Sequence, residues 1–482
     1  CIRDSTRSAQ QAQVIAQLEK KMTVTVSTNY RKQLKGRLSA ARRKQSIFWS
    51  TNRTLKLSGI RVSNAFGDTT ILNDPTSVQD ALREYWAPVY AHHEIDREAA
   101  LKLFNIYRRN NSHLFDFSNI ALPDSEFFQE YIPKLRDSAP GKNGIPYSAY
   151  KANVPLSAQI FSLHTKYMST NVQPEGLSVF NEQLIWFAPK GVSAEDDFAV
   201  YREPSQLRTI FGSNTDSKII AGAVASALTP ATLAVTPPIQ RGFCRGRQLS
   251  LNVVDLDSYM RAFYVCFPGP WNISNLKNLP VSALYDFCNA FPTIIHEWLF
   301  IVLIGLQVPV EFRWVIWWMY SLVTAYSSGT GDGSLLCFIL SGVKTGCPAS
   351  SILFLLGINP IVDMFIYLSD GLKLSATRVC ADDFGSALKR LHTLKRQASI
   401  FRVAAKACGL HLKPEKCVLI FTGIEITEEF LFALRNWLKE NAPELASIQV
   451  ATSGNFLGWR LGVNGNQLSW KDPIDKYQSR VR

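Results

Sequence analysis

Ala381-Asp382-Asp383-Phe384 sets two carboxylates side by side in an apolar stretch, with Val379 and Cys380 before them and the small Gly385 after them. The pattern reads as strand, turn, strand, with the acidic pair at the turn. Adjacent carboxylates repel unless a cation sits between them, and a divalent metal is the natural remedy. An earlier apolar segment, Ala283-Leu-Tyr-Asp286-Phe, carries one more Asp at a strand's C-terminal end, where side chains of neighbouring strands converge. Asp286, Asp382 and Asp383 together form an oxygen donor set suited to Mg²⁺. Phosphoryl transfer by two ions about 3.5–4 Å apart needs such a set. An isolated Asp-Asp pair is more often a plain surface turn, so the company these residues keep decides the reading.

Composition bounds that company. A chain of 482 residues is too long for one ordinary domain. Its 46% hydrophobic and 19% charged residues are the balance of a folded protein. A formal charge of +13 suits a polyanion, and leaves nucleic acid, membrane and ribosome all open as partners. The 9 cysteines include no C-x-x-C pair and no His at zinc-finger spacing, which argues against a structural zinc site and a disulfide framework. Pro309, Glu311 and Arg313 split the apolar region Trp298 to Tyr326 into two runs too short to cross a bilayer, so a buried helical hairpin is expected and no membrane partner.

Along the chain, residues 1–56 read as basic helix including Arg42, Arg43 and Lys44, either a solvated face or a nucleic-acid contact. Residues 64–75 are turn-rich, a hairpin or loop, and an amphipathic helix follows from Ser77 through Ala81, Leu82, Tyr85 and Trp86. Asp124 and Ser125 are N-cap candidates for a helix expected to stop before Ala139-Pro140-Gly141. Leu184–Ala188 reads as a strand and Lys218–Leu228 as a helix. Beyond Gln240, short apolar strands such as Val281–Tyr285 alternate with helices, an α+β pattern with no internal repeat.

A series of short motifs in one order resembles the reverse transcriptases of non-LTR (LINE-like) retrotransposons over roughly residues 50 to 462. Asp382-Asp383 is similar to the Ala-Asp-Asp core of that family's palm, and Asp286 through Phe291 to its metal-binding strand with an Ala-Phe pair. Gly342-Val-Lys-Thr-Gly-Cys-Pro-Ala-Ser350 resembles the Gly-Val-Arg-Gln-Gly-Cys-Pro-Leu-Ser segment under template and nucleotide. Ala139–Ile145, Pro189-Lys190, Leu207–Ile210 with Lys218–Ile220, and Gln240–Arg247 resemble successive fingers and palm segments. Gly409–Cys417 and Phe456-Leu-Gly458 resemble the Gly-Leu-x-Leu-Asn-x-x-Lys-Cys motif and the primer-grip turn.

The resemblance implies an α+β right-hand polymerase fold of fingers and palm, with an antiparallel-sheet palm, a mostly helical N-terminal extension and a thumb largely missing. The implied division is 1–122 for the extension, 123–235 for fingers, 236–463 for the palm with interleaved fingers elements, and 464–482 for the start of a thumb. Asp286 and Asp382 would hold two Mg²⁺ ions, with Mn²⁺ able to substitute, and Asp383 would be the third carboxylate. Lys190 and Arg208 would grip the triphosphate, and Thr345 and Gly346 would lie by the nucleotide. Lys416 would either protonate the leaving pyrophosphate or neutralise it. Phe291 is either core or the ring that collides with a ribose 2′-hydroxyl. Implied partners are an RNA template, a DNA primer or target and deoxyribonucleoside triphosphates, in an intracellular, nuclear setting.

The sequence departs from the family's pattern at Thr345, where Gln is usual, Ser351 and Pro292, and at Lys142-Asn143, where Pro-Asp is usual. None removes an implied ligand. A first residue Cys1 and the lack of endonuclease or RNase H motifs suit a piece of a longer polyprotein, its endonuclease and C-terminal parts lying elsewhere. A decayed nucleic-acid-binding remnant and a group II intron maturase or telomerase-like polymerase are the other readings.

Overall fold

The computed structural model describes residues 57–465 apart from 64–67, 192–195, 197–198 and 268–270, with scattered residues between 17 and 38 and between 467 and 474. The basic helix expected over residues 1–56 and the thumb expected over 464–482 therefore lie mostly outside the described residues.

A five-stranded sheet carries the carboxylates, in the order Gln449–Ala451, Val418–Ile420, Val281–Tyr285, Asp383–Leu388, Ser375–Cys380. Val281–Tyr285 is buried at every position, Ser282 included, which is why it reads as a mostly apolar segment. Alternate residues still serve opposite faces. Ala283 and Tyr285 join the large core with Phe384 and Phe401, while Leu284 packs with Leu256, Met260 and Phe456 on the other side. The helices Leu394–Cys408 and Ser250–Val265 supply those two covers.

The expectation of an antiparallel sheet needs one correction. Val281–Tyr285, Asp383–Leu388, Ser375–Cys380 and Val418–Ile420 pair antiparallel, but Gln449–Ala451 joins Val418–Ile420 in parallel. The helix Glu428–Asn441 lies between these last two strands and makes the crossover that a parallel pair requires.

A second sheet, in the order Leu207–Ser213, Glu182–Pro189, Thr324–Ser327, Leu335–Phe338, combines strands from both sides of position 236. Its apolar face packs on the helix Pro75–Tyr90 through Val78, Leu82, Trp86 and Tyr90 against Ile185, Phe187, Leu207 and Phe211. That helix is the expected amphipathic one, started by Asp74, whose carboxylate accepts from the Ser77 N–H at 2.8 Å. Within the turn-rich stretch before it, Thr69–Leu72 is a strand paired antiparallel with Gly59–Ser63.

The helix capped by Asp124 runs Ser125–Lys134 and ends before Ala139-Pro140-Gly141, as expected. One local expectation shifts. The apolar region Trp298 to Tyr326 forms the helices His296–Gly305 and Val310–Tyr320, but its last residues belong to the strand Thr324–Ser327. Two other segments, Thr215–Val235 and Ser350–Asp370, are long and apolar enough to cross a membrane. Most of their residues are buried within the protein, as in core helices.

Candidate active site

The strands Ser375–Cys380 and Asp383–Leu388 leave only Ala381 and Asp382 between them, so the acidic pair sits where the chain reverses. Cys380 faces Asp383 across the ladder. Phe384 faces Tyr285. One step further in the same antiparallel register, Asp383 comes opposite Asp286 at the end of the central strand.

Asp286 is pinned from the other side by Gly409–Cys417. The Lys413 N–H donates to the Asp286 carbonyl at 2.8 Å, and the Cys288 N–H donates to the His411 carbonyl at 2.8 Å. The Asp286 N–H in turn points at the buried Cys417 Sγ, 3.3 Å away. Lys416, from the same segment, brings Nζ to 3.8 Å from Asp286 Oδ2.

All of the predicted site residues line one cleft of about 640 Å³: Asp286, Asp382, Asp383, Lys416, Lys190, Arg208, Phe291, Thr345 and Gly346. Lys190 follows the strand Glu182–Pro189 and donates to Asn289 Oδ1 at 3.3 Å and to the Ser205 carbonyl at 3.1 Å. Arg208 stands exposed on the neighbouring strand. The Phe211 N–H of that strand donates to the Thr345 carbonyl at 2.8 Å, and Gly346 takes φ 101°, a value that favours glycine. Phe291 is half-buried, stacked on Phe354 at 4.3 Å between centroids and set edge-on to Phe243 at 5.8 Å. It is thus a packed ring and a cleft wall at once.

The electrostatics divide the cleft. Burial, and then the Asp286 charge, hold the Asp382 carboxyl above the usual carboxylate range, with Arg208 opposing. Loss of surrounding water, then Asp382 and Asp286, push Asp383 up to about 6. Opposite them, burial and then Lys416, Arg208 and Lys413 bring the Lys190 ammonium down to about 8. Each cluster lacks sufficient opposite charge of its own. The acidic side fits divalent cations, and the basic side fits a polyanion such as a triphosphate.

Among the described residues, no group of three or more His, Cys, Asp or Glu side chains is gathered as a ready-made metal site. The fit lies instead in donor chemistry: hard oxygen ligands on pinned backbone, with two carboxyls raised by burial first and then by their carboxylate neighbours.

Several cleft residues had no role in the sequence reading. Tyr85 and Trp86 showed only as helix periodicity, and Asn289 and Lys413 gave no signal beyond their motifs. Phe243 also lines the cleft, within a motif quoted whole. Lys413 stands where the resembling motif carries Asn, which was the available clue.

Carboxylates at the ends of neighbouring interior strands thus face a cationic wall across the cleft, an arrangement suited to holding divalent cations against a polyphosphate. Residues 195–461, more than half of the chain, match the family described as reverse transcriptase (RNA-dependent DNA polymerase), and the chain belongs to that family. It is an RNA-directed DNA polymerase by class, with the right-hand polymerase fold, RNA template, DNA primer and deoxyribonucleoside triphosphates that the family implies. Reverse transcriptases generally use divalent ions, usually Mg²⁺. The match takes in every predicted site residue except Lys190, which precedes it.

Proposed function

We propose that this chain is the polymerase of a non-LTR, LINE-like element, extending a DNA 3′-hydroxyl on RNA within the cleft described above, by target priming. The observation that carries the site assignment is the meeting of residues from well-separated segments, Lys190 to Lys416, around one cleft with an acidic and a basic side. The Gly342-Val-x-x-Gly-Cys-Pro form and the basic stretch before the fingers support the LINE-like source. The division into extension, fingers, palm and a partial thumb, and a nuclear setting, follow from the same reading.

Asp286 and Asp382 are the ion-holding residues in this reading, with Asp383 completing the acidic side. The chemistry supplied by two bound divalent ions is charge neutralisation at the attacking hydroxyl and at the leaving group. Arg208 and Lys190 grip the triphosphate and orient its α-phosphorus toward the primer. Lys416, close to Asp286, faces the departing pyrophosphate. Thr345 and Gly346 form the floor beneath the nucleotide, and Phe291 its sugar-facing wall.

The test is extension of a DNA primer annealed to RNA by the purified protein, with Asp382→Asn alongside. Extension by the wild type and none by the variant is the expected result; equal extension by both sinks the site assignment. Extension from a nick in duplex DNA on an unannealed RNA tests target priming, and use of annealed primers alone argues against it.

A further inference from the structure

Ala381, at the reversal that carries the acidic pair, has φ 58°. This left-handed conformation is unfavourable for a residue with a Cβ and persists only where surrounding structure holds it. The holding group comes from a distant segment. Residues 239–241 run parallel to Ser375–Cys380: the Val379 N–H donates to the Ile239 carbonyl at 2.9 Å and the Arg241 N–H to the Val379 carbonyl at 2.8 Å. From there the wholly buried Gln240 side chain reaches the turn. Its Oε1 accepts from the Ala381 N–H at 2.8 Å and from the Gly242 N–H at 2.8 Å, and its Nε2 donates to the Ala381 carbonyl at 3.2 Å.

One amide thus holds both backbone polar groups of the strained residue, immediately before Asp382. The close approach depends on Gly242, where a Cβ would collide with the Ala381 backbone nitrogen. Other parts of the segment anchor it rather than touch the turn. Arg241 pairs with Asp255, which also receives Arg378, and Arg247 donates to the Thr236, Pro237 and Gln240 carbonyls. A buried amide is costly unless paired, and this one has its partners on the turn and on its own segment.

We propose that Gln240 is a positioning residue of the polymerase, holding Ala381 in its left-handed conformation so that Asp382 and Asp383 present their carboxylates toward Asp286. The inference rests on the active-site assignment above. Gln240 touches neither nucleotide nor ion; it acts through the backbone that bears their ligands. Without it the turn can relax toward ordinary backbone angles, and a shift of about 1 Å in a reacting geometry costs on the order of 10²-fold in rate.

The test compares wild type, Gln240→Met, Arg247→Met and Asp382→Asn as full chains with annealed RNA template and DNA primer. Gln240→Met is expected to lower the single-turnover extension rate about 10²-fold, to leave duplex affinity and the KM for nucleotide unchanged, and to weaken Mn²⁺ binding followed by electron paramagnetic resonance. Arg247→Met, which loosens the same segment away from the turn, is expected to lower the melting temperature with wild-type Mn²⁺ affinity. If Gln240→Met does not fold, Gln240→Glu, which keeps the volume and the accepting oxygen and loses only the donor to the Ala381 carbonyl, is compared instead, with a smaller loss of both rate and Mn²⁺ affinity expected. A folded Gln240 variant with wild-type rate and Mn²⁺ affinity overturns the proposal. So does a rate loss with unchanged Mn²⁺ affinity, since that is what a general structural role gives. Asp382→Asn at the wild-type rate overturns the active-site assignment itself, an outcome separable from the others.

Discussion

Phe291 is where packing and specificity can be told apart by one substitution, Phe291→Val. Its ring lies nearly parallel to Phe354, 4.3 Å between centroids and 13° between planes, with Phe243 edge-on at 5.8 Å and 73°. Each such pair contributes about 0.5–1.5 kcal/mol beyond area burial. With the cavity left behind, the stability cost of the valine is roughly 1–4 kcal/mol. That loss lowers the folded fraction and treats all nucleotides alike. Specificity moves by a different route, because the ring also lines the cleft, and removing it opens space only for the sugar that carries an extra oxygen. Steric discrimination of this size is worth about 1–3 kcal/mol, or about 10–200-fold. The ratio of kcat/KM for a ribonucleotide to that for its deoxy counterpart is therefore expected to rise at least about tenfold. The assay is single-nucleotide incorporation with both substrates, with thermal melting on the same preparations. A folded, active variant with lowered melting temperature and an unchanged ratio refutes the wall and leaves Phe291 as core.

Asp286→Asn and Asp382→Asn should each abolish primer extension while RNA–primer binding, followed by anisotropy, stays near wild type; lost binding would mean these residues serve the fold instead. Lys190, brought down to about 8, loses its charge as pH rises through that value, so the KM for nucleotide should climb between pH 7 and 9. Lys190→Arg, with a guanidinium that stays charged, should flatten the rise, and parallel profiles would remove Lys190 from the triphosphate grip. His296 is held near pKa 4, chiefly by burial, with its Nε2 2.7 Å from the Gly342 carbonyl. The unfolded chain binds that proton first, so the stability contributed is full above about pH 6.5 and is lost as pH falls toward 4, on the order of 3 kcal/mol in all. Urea unfolding at pH 7.5 and 5 should show about 2 kcal/mol of this loss, and His296→Asn should diminish it; an equal loss in the variant would exclude His296 as the source.

The turn at the acidic pair was legible because its cause is local: two adjacent charges in an apolar stretch demand a reversal of the chain. The strand before Asp286 was legible for a similar reason, since burial on both faces leaves a segment apolar at all positions but Ser282. Bringing Lys190, Arg208 and Lys416 to that turn was legible only through the order of motifs, as nothing in spacing alone joins residues so far apart. Gln240 is the instructive miss. A glutamine in sequence reads as a solvated amide, whereas this one is buried on three hydrogen bonds that exist only once distant segments are packed. Strand direction was hidden too, because side-chain alternation is the same in parallel and antiparallel pairs, and only the helix Glu428–Asn441 tells them apart. The helix Ser125–Lys134 was legible from its Asp124 cap and from the stop signal beyond it at Ala139–Gly141.

The two-residue reversal between Ser375–Cys380 and Asp383–Leu388 also governs how such a chain can diverge. Side chains alternate between faces with period two, so inserting or deleting one residue within either strand would turn every residue beyond it to the opposite face. Asp383 and the core ring of Phe384 would exchange places in a single step, putting a carboxylate in the core and a phenyl ring in the cleft. Surface loops of this protein can lengthen at small cost. The hairpin can change only by substitution, one residue at a time, so in descendants of this chain its length would be the more durable mark of ancestry than its letters.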